Sequence, residues 1–184
     1  MASQERSARP AAGTALPIEA FSEDARRLDP EAFAAHRGTG FLLVMAAAVL
    51  DGGSKATRLL LDGVDEDPGG RTAELSVAVY PLVARNASAG PLVTVGRDAR
   101  HDVVIPDPSV SRFHAFAKPA EDGACLLQDM GSTNGTTVNG TSVPARGTGE
   151  PMPVKPGDTV CFGQVKFTFS DARALREFVL QATR

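Results

Sequence analysis

The 184-residue chain has no tryptophan, one tyrosine and only two cysteines, Cys125 and Cys161. Two cysteines are too few for a disulfide framework, and these two lie too far apart in the sequence for a zinc knuckle. We therefore expect free thiols that pack as small apolar side chains, and we expect no metal and no cofactor. Free thiols are typical of a reducing compartment, which favours a cytoplasmic location.

Long hydrophobic runs are also missing. The longest apolar run covers residues 41–50, about half of the roughly 20 residues that a membrane helix needs. The N-terminal segment 1–10 is polar and contains Glu5, Arg6 and Arg9, so it lacks the apolar centre of a signal peptide. These absences predict a protein without a membrane partner.

The chain has no surplus of basic charge. It carries 19 lysines and arginines against 22 aspartates and glutamates, for a formal net charge of −3. Domains that bind nucleic acid usually present a net basic field, so we expect no nucleic-acid partner. Hydrophobic residues make up 42% of the chain and charged residues 22%, which are the proportions of a folded globular protein.

Glycine and proline, by contrast, are abundant, with 18 and 13 residues, and they favour many short elements over a few long helices. Residues 1–15 show no hydrophobic periodicity, and we expect them to form a disordered tail. Residues 16–70 are predicted to be a helical or mixed extension. It ends in an acidic, glycine-rich stretch at 62–70 that has the composition of a linker.

The extension contains the signals of two helices and a hairpin. Apolar residues from Ile18 to Leu28 recur at spacings of three and four, which predicts an amphipathic helix. Asp29 and Pro30 are the cap and first-turn residues of a second helix over 31–36. Residues 41–50 form a strand or a short helix, since periodicity does not distinguish the two, and residues 57–61 predict a strand that closes a hairpin with them.

The sequence pattern of the chain changes at residue 71. From there to residue 170, short β-rich runs alternate with turn signals every 8 to 12 residues, which predicts an antiparallel β-sandwich in a mainly β protein. Residues 171–184 predict a C-terminal helix capped by Ser170 and Asp171. Its apolar face comprises Leu175, Phe178, Val179 and Ala182. We expect this face and that of the first helix to dock on the sandwich, and self-association through them is the alternative.

The polar side chains that are best suited to bind a ligand lie in three turn sequences. They are Gly96-Arg97, the SVSRFH segment at 109–114, and the GSTNGT segment at 131–136. Loops gather at the ends of a β-sandwich, so these distant turns can meet on one surface. Together they would supply guanidiniums, hydroxyls and an amide, which suit a tetrahedral dianion such as a phosphate. The candidate side chains are Arg97, Arg112, Ser111, Ser132, Thr133 and Asn134.

The combination of these turns resembles the forkhead-associated (FHA) domain family. The resemblance runs through Gly96-Arg97, DVVIPDPSVSRFHA at 102–115, LQDMGSTNGTTVNG at 127–140, KPGD at 155–158 and Phe162-Gly163. It covers about residues 72–170, roughly half of the chain. Any one of these motifs alone would be weak, but the set at these separations is highly specific. FHA domains read phosphorylated motifs with arginine clusters.

The resemblance implies an antiparallel β-sandwich that binds phosphothreonine peptides through loops at one end. Arg97 and Ser111 would contact the phosphate, and Arg112 occupies a position that often adds a contact. Thr133 would lie beside the phosphothreonine, and Asn134 would hold the peptide main chain. The residues that resemble the family's scaffold positions are Gly96, His114, Gly135 and Asn139. The implied function is a signalling or adaptor module that recognises substrates of Ser/Thr kinases.

One residue departs from the family pattern and keeps a second reading open. The family often has an asparagine where this chain has Asp102, whose carboxylate would lie near an anion site unless it faces away and caps a turn. The alternative function is therefore a phosphate-independent structural or assembly protein on an FHA scaffold. In a regulatory variant of the main reading, the site binds a phosphorylated threonine of the same chain or of a second copy, at Thr14, Thr57 or Thr72.

A catalytic reading is disfavoured. Ser111 and His114 share a segment, but a serine three residues from a histidine does not by itself make a nucleophile and base, and no third orienting group is evident. A packed structural histidine is the simpler interpretation. We therefore expect a non-catalytic binding module.

Overall fold

A computed structural model describes residues 13, 15–51, 54–59, 74–85, 92–120 and 122–182, with the backbone alone described at 45–51, 54–59 and 74–76. The predicted disordered tail, apart from Gly13 and Ala15, lies outside the described residues. So do the predicted linker at 62–70 and the candidate phosphorylation sites Thr14 and Thr72.

The described chain begins with a short strand and a group of helices. Strand β1 (Leu16–Pro17) leads into a 3₁₀ helix (Ile18–Phe21), helix α1 (Ser22–Arg27) and helix α2 (Pro30–Arg37). The Asp29 side chain caps α2 by accepting a hydrogen bond of 2.8 Å from the Ala32 amide, with proline at the first helical position. Both predicted helices are confirmed, although the first is divided into a 3₁₀ and an α segment.

Three strands follow the helices. They are β2 (Gly40–Asp51), β3 (Ser54–Leu59) and β4 (Glu74–Pro81). The run at 41–50 is therefore a strand, and β3 closes a hairpin with it through the pair Asp51 and Ser54. β3 begins earlier than the predicted 57–61, and residues 60 and 61 lie outside the described residues.

The rest of the chain forms an antiparallel β-sandwich and a last helix. These elements are β5 (Val93–Gly96), β6 (Val103–Val104), β7 (Ala115–Pro119), β8 (Cys125–Asp129), β9 (Thr136–Val138), β10 (Thr141–Ser142), β11 (Met152–Val154), β12 (Thr159–Phe162), β13 (Val165–Asp171) and α3 (Ala172–Ala182). One sheet has the order β1-β4-β2-β13-β12-β9-β10, with β3 on β2, and the other has the order β11-β8-β7-β5-β6. The pairs are antiparallel apart from β5 and β6. The predicted fold class is confirmed.

Strand β2 joins the predicted extension to the sandwich. It is hydrogen-bonded to β4 on one side and to β13 on the other. The extension therefore supplies a strand to the middle of a sheet as well as a layer of helices above it. The domain boundaries at residues 15, 70 and 170 stay predictions.

The larger sheet separates two hydrophobic cores, because successive side chains of a strand point to opposite faces. Leu42 and Tyr80 lie in the core between the two sheets. Their neighbours Phe41 and Val79 lie in a second core beneath the helices, together with Phe33. Docking of the predicted helix faces on the sandwich is confirmed by this second core.

Helix α3 buries a narrower stripe than its sequence predicts. The Asp171 carboxylate caps it by accepting a hydrogen bond of 2.7 Å from the Ala174 amide, as expected. Leu175 and Val179 are buried, but Phe178 is 41% exposed and Ala182 is exposed. Phe178 lies about 100° around the helix from Val179, so it flanks the contact with the other helices instead of entering it.

The two cysteines are free thiols, as expected. Cys125 is buried and Cys161 is half-buried. Burial raises the pKa of the Cys125 thiol to about 12. Among the described helices, none is both long and apolar enough to span a membrane.

Candidate binding cleft

Three loops meet at one end of the sandwich and enclose an open cleft of about 710 Å³. They are the loop after β5, the loop between β6 and β7, and the loop between β8 and β9. The cleft contains all five predicted binding residues, which are Arg97, Ser111, Arg112, Thr133 and Asn134. The structure therefore brings the five side chains together, and their role in binding stays a proposal.

The first two loops are joined backbone to backbone. The Arg97 amide donates to the Ser111 carbonyl at 3.0 Å, and the Asp98 amide donates to the Arg112 carbonyl at 3.2 Å. This close approach depends on Gly96, because a Cβ atom there would lie 2.3 Å from the Arg112 carbonyl oxygen. Gly96 is therefore a scaffold residue for the two segments that carry the guanidiniums.

Both guanidiniums stay available for a ligand. Arg97 and Arg112 are exposed, and across the described ranges no carboxylate forms an ion pair with either of them. An arginine fork matches the oxygens of a phosphate or carboxylate. The cleft therefore presents two adjacent positive groups to a bound anion.

Ser111 and Thr133 link the second loop to the third. The Thr133 amide donates to the Ser111 hydroxyl oxygen at 3.0 Å, and the two hydroxyl oxygens are 3.4 Å apart. In the longer contact the Ser111 hydroxyl donates to the Thr133 hydroxyl oxygen, and a bound anion would compete for that proton. The two hydroxyls therefore add donors beside the guanidiniums.

His114 connects the same two loops from below. Its Nδ1 accepts a hydrogen bond of 3.0 Å from the Ser111 amide, and its Nε2 lies 3.1 Å from the Gly135 carbonyl oxygen. These contacts require the tautomer that carries the proton on Nε2. Burial lowers the pKa of this fully buried imidazole. His114 is thus a scaffold residue, and its contact with the Ser111 amide instead of the hydroxyl leaves no nucleophile–base pair.

Asn134 is anchored through one end of its amide. Its Nδ2 donates to the Ser109 carbonyl at 2.7 Å, and Ser109 is in turn fixed by Asp107 and by the Gln164 amide. Among described residues, the Asn134 amide oxygen has no hydrogen-bond donor. It is therefore positioned to accept from the main chain of a ligand.

The Asp102 carboxylate faces away from the cleft. It accepts hydrogen bonds from the Arg85 amide at 2.7 Å and from the Thr94 amide and hydroxyl at 2.8 and 2.7 Å. Burial alone would raise the pKa of Asp102, but these hydrogen bonds outweigh it and lower the pKa. The alternative that Asp102 faces away from the anion site holds, but the carboxylate joins β5 to the backbone after β4 instead of capping a turn.

Asp129 organises the third loop, and the sequence analysis missed it. Its side chain accepts hydrogen bonds from the amides of Gly131 and Ser132 and from the hydroxyls of Ser132 and Thr136, at 2.6 to 2.9 Å. Ser132 therefore turns inward and does not line the cleft, which corrects its prediction as a ligand donor. An aspartate two residues before a glycine is a known turn signal that could have identified Asp129.

Asn139 and Gly135 hold turns outside the ligand surface, as expected of scaffold residues. Asn139 has a φ of 50°, and its side chain donates to Asp158 and accepts from the Thr159 amide. Gly135 has a φ of 78°, and its carbonyl accepts from both His114 and the Gly163 amide. Both residues adopt the left-handed conformation that these turns require.

The rim of the cleft beyond Arg112 combines a charged pair with aromatic rings. Arg100 forms two hydrogen bonds to Asp98, and this contact lowers the pKa of the Asp98 carboxyl to about 2. The His101 ring stacks on Phe113, with centroids 4.9 Å apart. Phe113 in turn meets the Phe116 ring edge to face at 5.0 Å.

Comparison with known proteins agrees with this geometry. Residues 93–163 match the family model of the FHA domain. The chain contains an FHA domain. The match covers every loop of the cleft, whereas β2, β4 and β13, which complete the larger sheet, lie outside it.

Several known proteins contain a region similar to part of this chain. The ABC transporter ATP-binding/permease protein Rv1747 of Mycobacterium tuberculosis is 38% identical over 93 residues, 50% of this chain and 10% of the relative. The oxoglutarate dehydrogenase inhibitor of Corynebacterium diphtheriae is 34% identical over 93 residues, 44% of this chain and 64% of the relative. The chain thus spans less than two thirds of the length of either relative.

One solved structure is also similar to this chain. The FHA domain of CT664 protein from Chlamydia trachomatis is 25% identical, with a TM-score of 0.41. The match covers 72% of this chain and 97% of that one.

Proposed function

We propose that this FHA domain binds a phosphothreonine-containing peptide in the cleft between the three loops. The observation that carries the proposal is the convergence of Arg97 and Arg112, without acidic partners in the described chain, on the hydroxyls of Ser111 and Thr133. Hydrogen bonds between charged groups are about twice as strong as neutral ones. Phosphorylation of a threonine would therefore switch its affinity for this cleft.

The distribution of carboxylates supports the same ligand. Asp102 and Asp129 lie close behind the cleft loops, but each has its oxygens engaged by amides and hydroxyls. Asp98 does line the cleft, but Arg100 engages both of its carboxylate oxygens. A dianion entering the cleft therefore meets donors and positive charge instead of free acceptors. Asn134 is suited to hold the peptide main chain next to the phosphothreonine, through its amide oxygen.

The phosphate-independent alternative loses its main motivation. It rested on Asp102 as a carboxylate beside the anion site, and that side chain instead accepts hydrogen bonds from Arg85 and Thr94, away from the cleft. A hydrolase reading is not supported either, because His114 contacts the Ser111 amide and not its hydroxyl.

Substrates of Ser/Thr kinases are the partners that this chemistry favours, in a signalling or adaptor role and in a cytoplasmic setting. The Corynebacterium relative is named as an inhibitor of oxoglutarate dehydrogenase, and a role in regulating another protein is compatible with this proposal. Binding of a phosphorylated Thr14 or Thr72 in the same chain or a second copy stays a prediction. Thr57 lies within strand β3, where a kinase would have to open the sheet to reach it.

The test is calorimetry of the whole chain against three degenerate peptide pools that contain phosphothreonine, phosphoserine or unmodified threonine. We expect binding to the phosphothreonine pool alone. Arg97→Ala should weaken it by about 10- to 100-fold, the equivalent of one lost charged hydrogen-bond pair. Arg173→Ala is the matched control, because Arg173 is an exposed arginine on α3. Equal binding to all three pools would refute the proposal.

A further inference from the structure

An aromatic surface begins inside the cleft and continues onto the outer face of the five-stranded sheet. We call it the aromatic wall, and it consists of His101, Phe113 and Phe116. His101 and Phe113 line the cleft. Phe116 is half-buried between two buried alanines of β7, so the alternation of the strand places it on the outer face.

Phe113 is the member of the wall that a ligand can reach. Its side chain is 37% exposed. The other large hydrophobic side chains that are exposed among the described residues, Leu92, Leu126 and Phe178, lie outside the cleft. An apolar side chain that stays exposed beside a polar binding site often marks an interaction surface.

The rings of the wall pack against one another without a ligand. Phe113 is stacked on His101, at an angle of 23° between the rings, and Phe116 supports it edge to face. A side chain that is already fixed loses little conformational entropy on binding, so more of the contact energy appears as affinity.

Charge decides which kind of side chain the wall accepts. Arg97, Arg100 and Arg112 line the cleft, and Arg100 already pairs with Asp98, the carboxylate in the lining, so a lysine or arginine of the ligand would meet net like charge here. An acidic side chain would turn to the guanidiniums instead of the rings. A neutral aliphatic or aromatic side chain is the remaining class, and it gains from covering the exposed ring.

We infer that the aromatic wall selects phosphopeptides with an aliphatic or aromatic residue near the phosphothreonine. Phe113 is the specificity-determining residue, and His101 and Phe116 position it. An extended peptide advances about 3.3 Å per residue, and the Cα atoms of Arg112 and Phe113 are about 3.8 Å apart. The selected residue therefore lies within about four positions of the phosphothreonine. This inference rests on the proposed phosphopeptide binding.

The test is a positional scan of alanine-based peptides that contain one phosphothreonine. Each of the four positions on either side is replaced in turn by Leu, Phe, Glu or Lys, and the affinities for the whole chain are measured. We expect Leu or Phe at one position to raise the affinity about five- to tenfold over Ala. Phe113→Ala should remove this gain, so that the Leu or Phe peptide binds the variant no more tightly than the all-alanine phosphopeptide does.

Phe178→Ala is the matched control, since Phe178 is similarly exposed but lies on α3. It should keep the full gain. If Phe113→Ala does not fold, the ring-proton shifts of wild-type His101 and Phe113 decide the question. They should move more with the Leu or Phe peptide than with its alanine counterpart.

The two proposals fail in distinguishable ways. Phosphate-dependent binding with no apolar preference, or a preference that survives Phe113→Ala, overturns the role of the wall and leaves the phosphopeptide function intact. A preference for Glu at every position overturns it as well. Binding that does not depend on phosphate overturns both.

Discussion

At the scale of single residues, the carboxylates around the cleft already have hydrogen-bond partners: Asp98 is paired with Arg100, and three others hold the loops. Asp102, Asp107 and Asp129 are buried and accept hydrogen bonds from the loops, while Arg97 and Arg112 remain exposed. The carboxylates therefore act as internal caps that shape the loops. The positive charge that they could have neutralised is left for the ligand.

Replacing Asp129 tests this division. Asp129→Asn keeps the size of the side chain but turns one acceptor into a donor that faces the amides and hydroxyls of Gly131, Ser132 and Thr136. We expect a loss of about 2–3 kcal/mol in the free energy of unfolding, measured by urea denaturation, and weaker phosphopeptide binding. Asp122→Asn, at an exposed aspartate that caps a turn amide, is the control. Equal stability of the two variants would contradict the role of Asp129.

The pH dependence of stability follows from His114. Burial lowers its pKa below the ordinary 6.5, so the unfolded chain binds this proton first as the pH falls. Its contribution to stability is therefore complete above pH 6.5 and is lost as the pH drops towards the lowered pKa. The lowered pKa values of Asp102 and Asp129 add a second loss below pH 3.8.

Urea denaturation at pH 7.5 and pH 5 measures the first of these effects. We expect wild type to be less stable at pH 5. His114→Gln, which retains a donor and an acceptor but does not titrate, should show a smaller difference between the two pH values. His101→Gln controls for the loss of an imidazole. An unchanged difference in His114→Gln would show that another group is responsible.

At the scale of elements, the loops depend on close backbone contacts that only a small residue allows. A Cβ atom at position 96 would lie 2.3 Å from the Arg112 carbonyl oxygen, so the two arginine-bearing segments would have to separate. Gly96→Ala should therefore destabilise the fold by about 2–4 kcal/mol, as overpacking and broken hydrogen bonds do, and abolish phosphopeptide binding.

Gly157→Ala is the matched comparison for this prediction. Gly157 has a φ of 93° and open space around its Cα, so its replacement introduces backbone strain of about 1–2 kcal/mol without a clash. Thermal unfolding and calorimetry of both variants separate the two effects. Phosphopeptide affinity within about twofold of wild type in Gly96→Ala would refute the steric argument.

Local signals in the sequence predicted the elements better than their arrangement. Asp29 and Asp171 were predicted as caps because a cap depends only on its own turn. The run at 41–50 stayed ambiguous because β2 is apolar on both faces, which removes the alternation that identifies a strand. Its place between β4 and β13 depends on pairing with residues about 30 to 130 positions away, and no local pattern encodes such partners.

The candidate site shows the same limit. The loops that carry Arg97, Ser111 and Thr133 could be predicted from the family motifs, because those motifs record the geometry. The inward turn of Ser132 and the outward turn of Asp102 could not, because each depends on a hydrogen-bond partner chosen by the fold, Asp129 for one and Thr94 for the other.

At the scale of the whole molecule, the helix layer and the sandwich share one sheet. Phe41 and Leu42 are neighbours in β2, yet they lie in different cores. Loss of either core therefore exposes one face of the same strand, and the two layers should unfold together.

Phe33→Ala tests this coupling from the helix side. Phe33 is fully buried, so the free energy of unfolding should fall by about 3–5 kcal/mol. The far-ultraviolet helix signal and the exposure of Cys125, which lies in the other core, should report one midpoint. Two separate transitions would show that the layers are independent.

Cutting the chain at the limits of the family match tests the same coupling from the sandwich side. A fragment of residues 93–163 lacks β2, β4 and β13, so β12 loses its partner on one side. We expect the fragment to lack dispersed amide resonances in solution, while residues 13–182 show them. A folded fragment would mean that the FHA region is independent of the layers around it.

The two thiols differ in exposure, so their oxidation reports whether the five-stranded sheet has opened. Cys161 is half-buried, whereas Cys125 is buried between neighbouring strands with a pKa of about 12, and thiolates are the form that oxidants attack. During storage in air, oxidation should therefore begin at Cys161. Oxidised Cys125 would show that the five-stranded sheet of that molecule had opened at least once. The rate at which oxidised Cys125 accumulates would therefore measure the rate of opening without an added label.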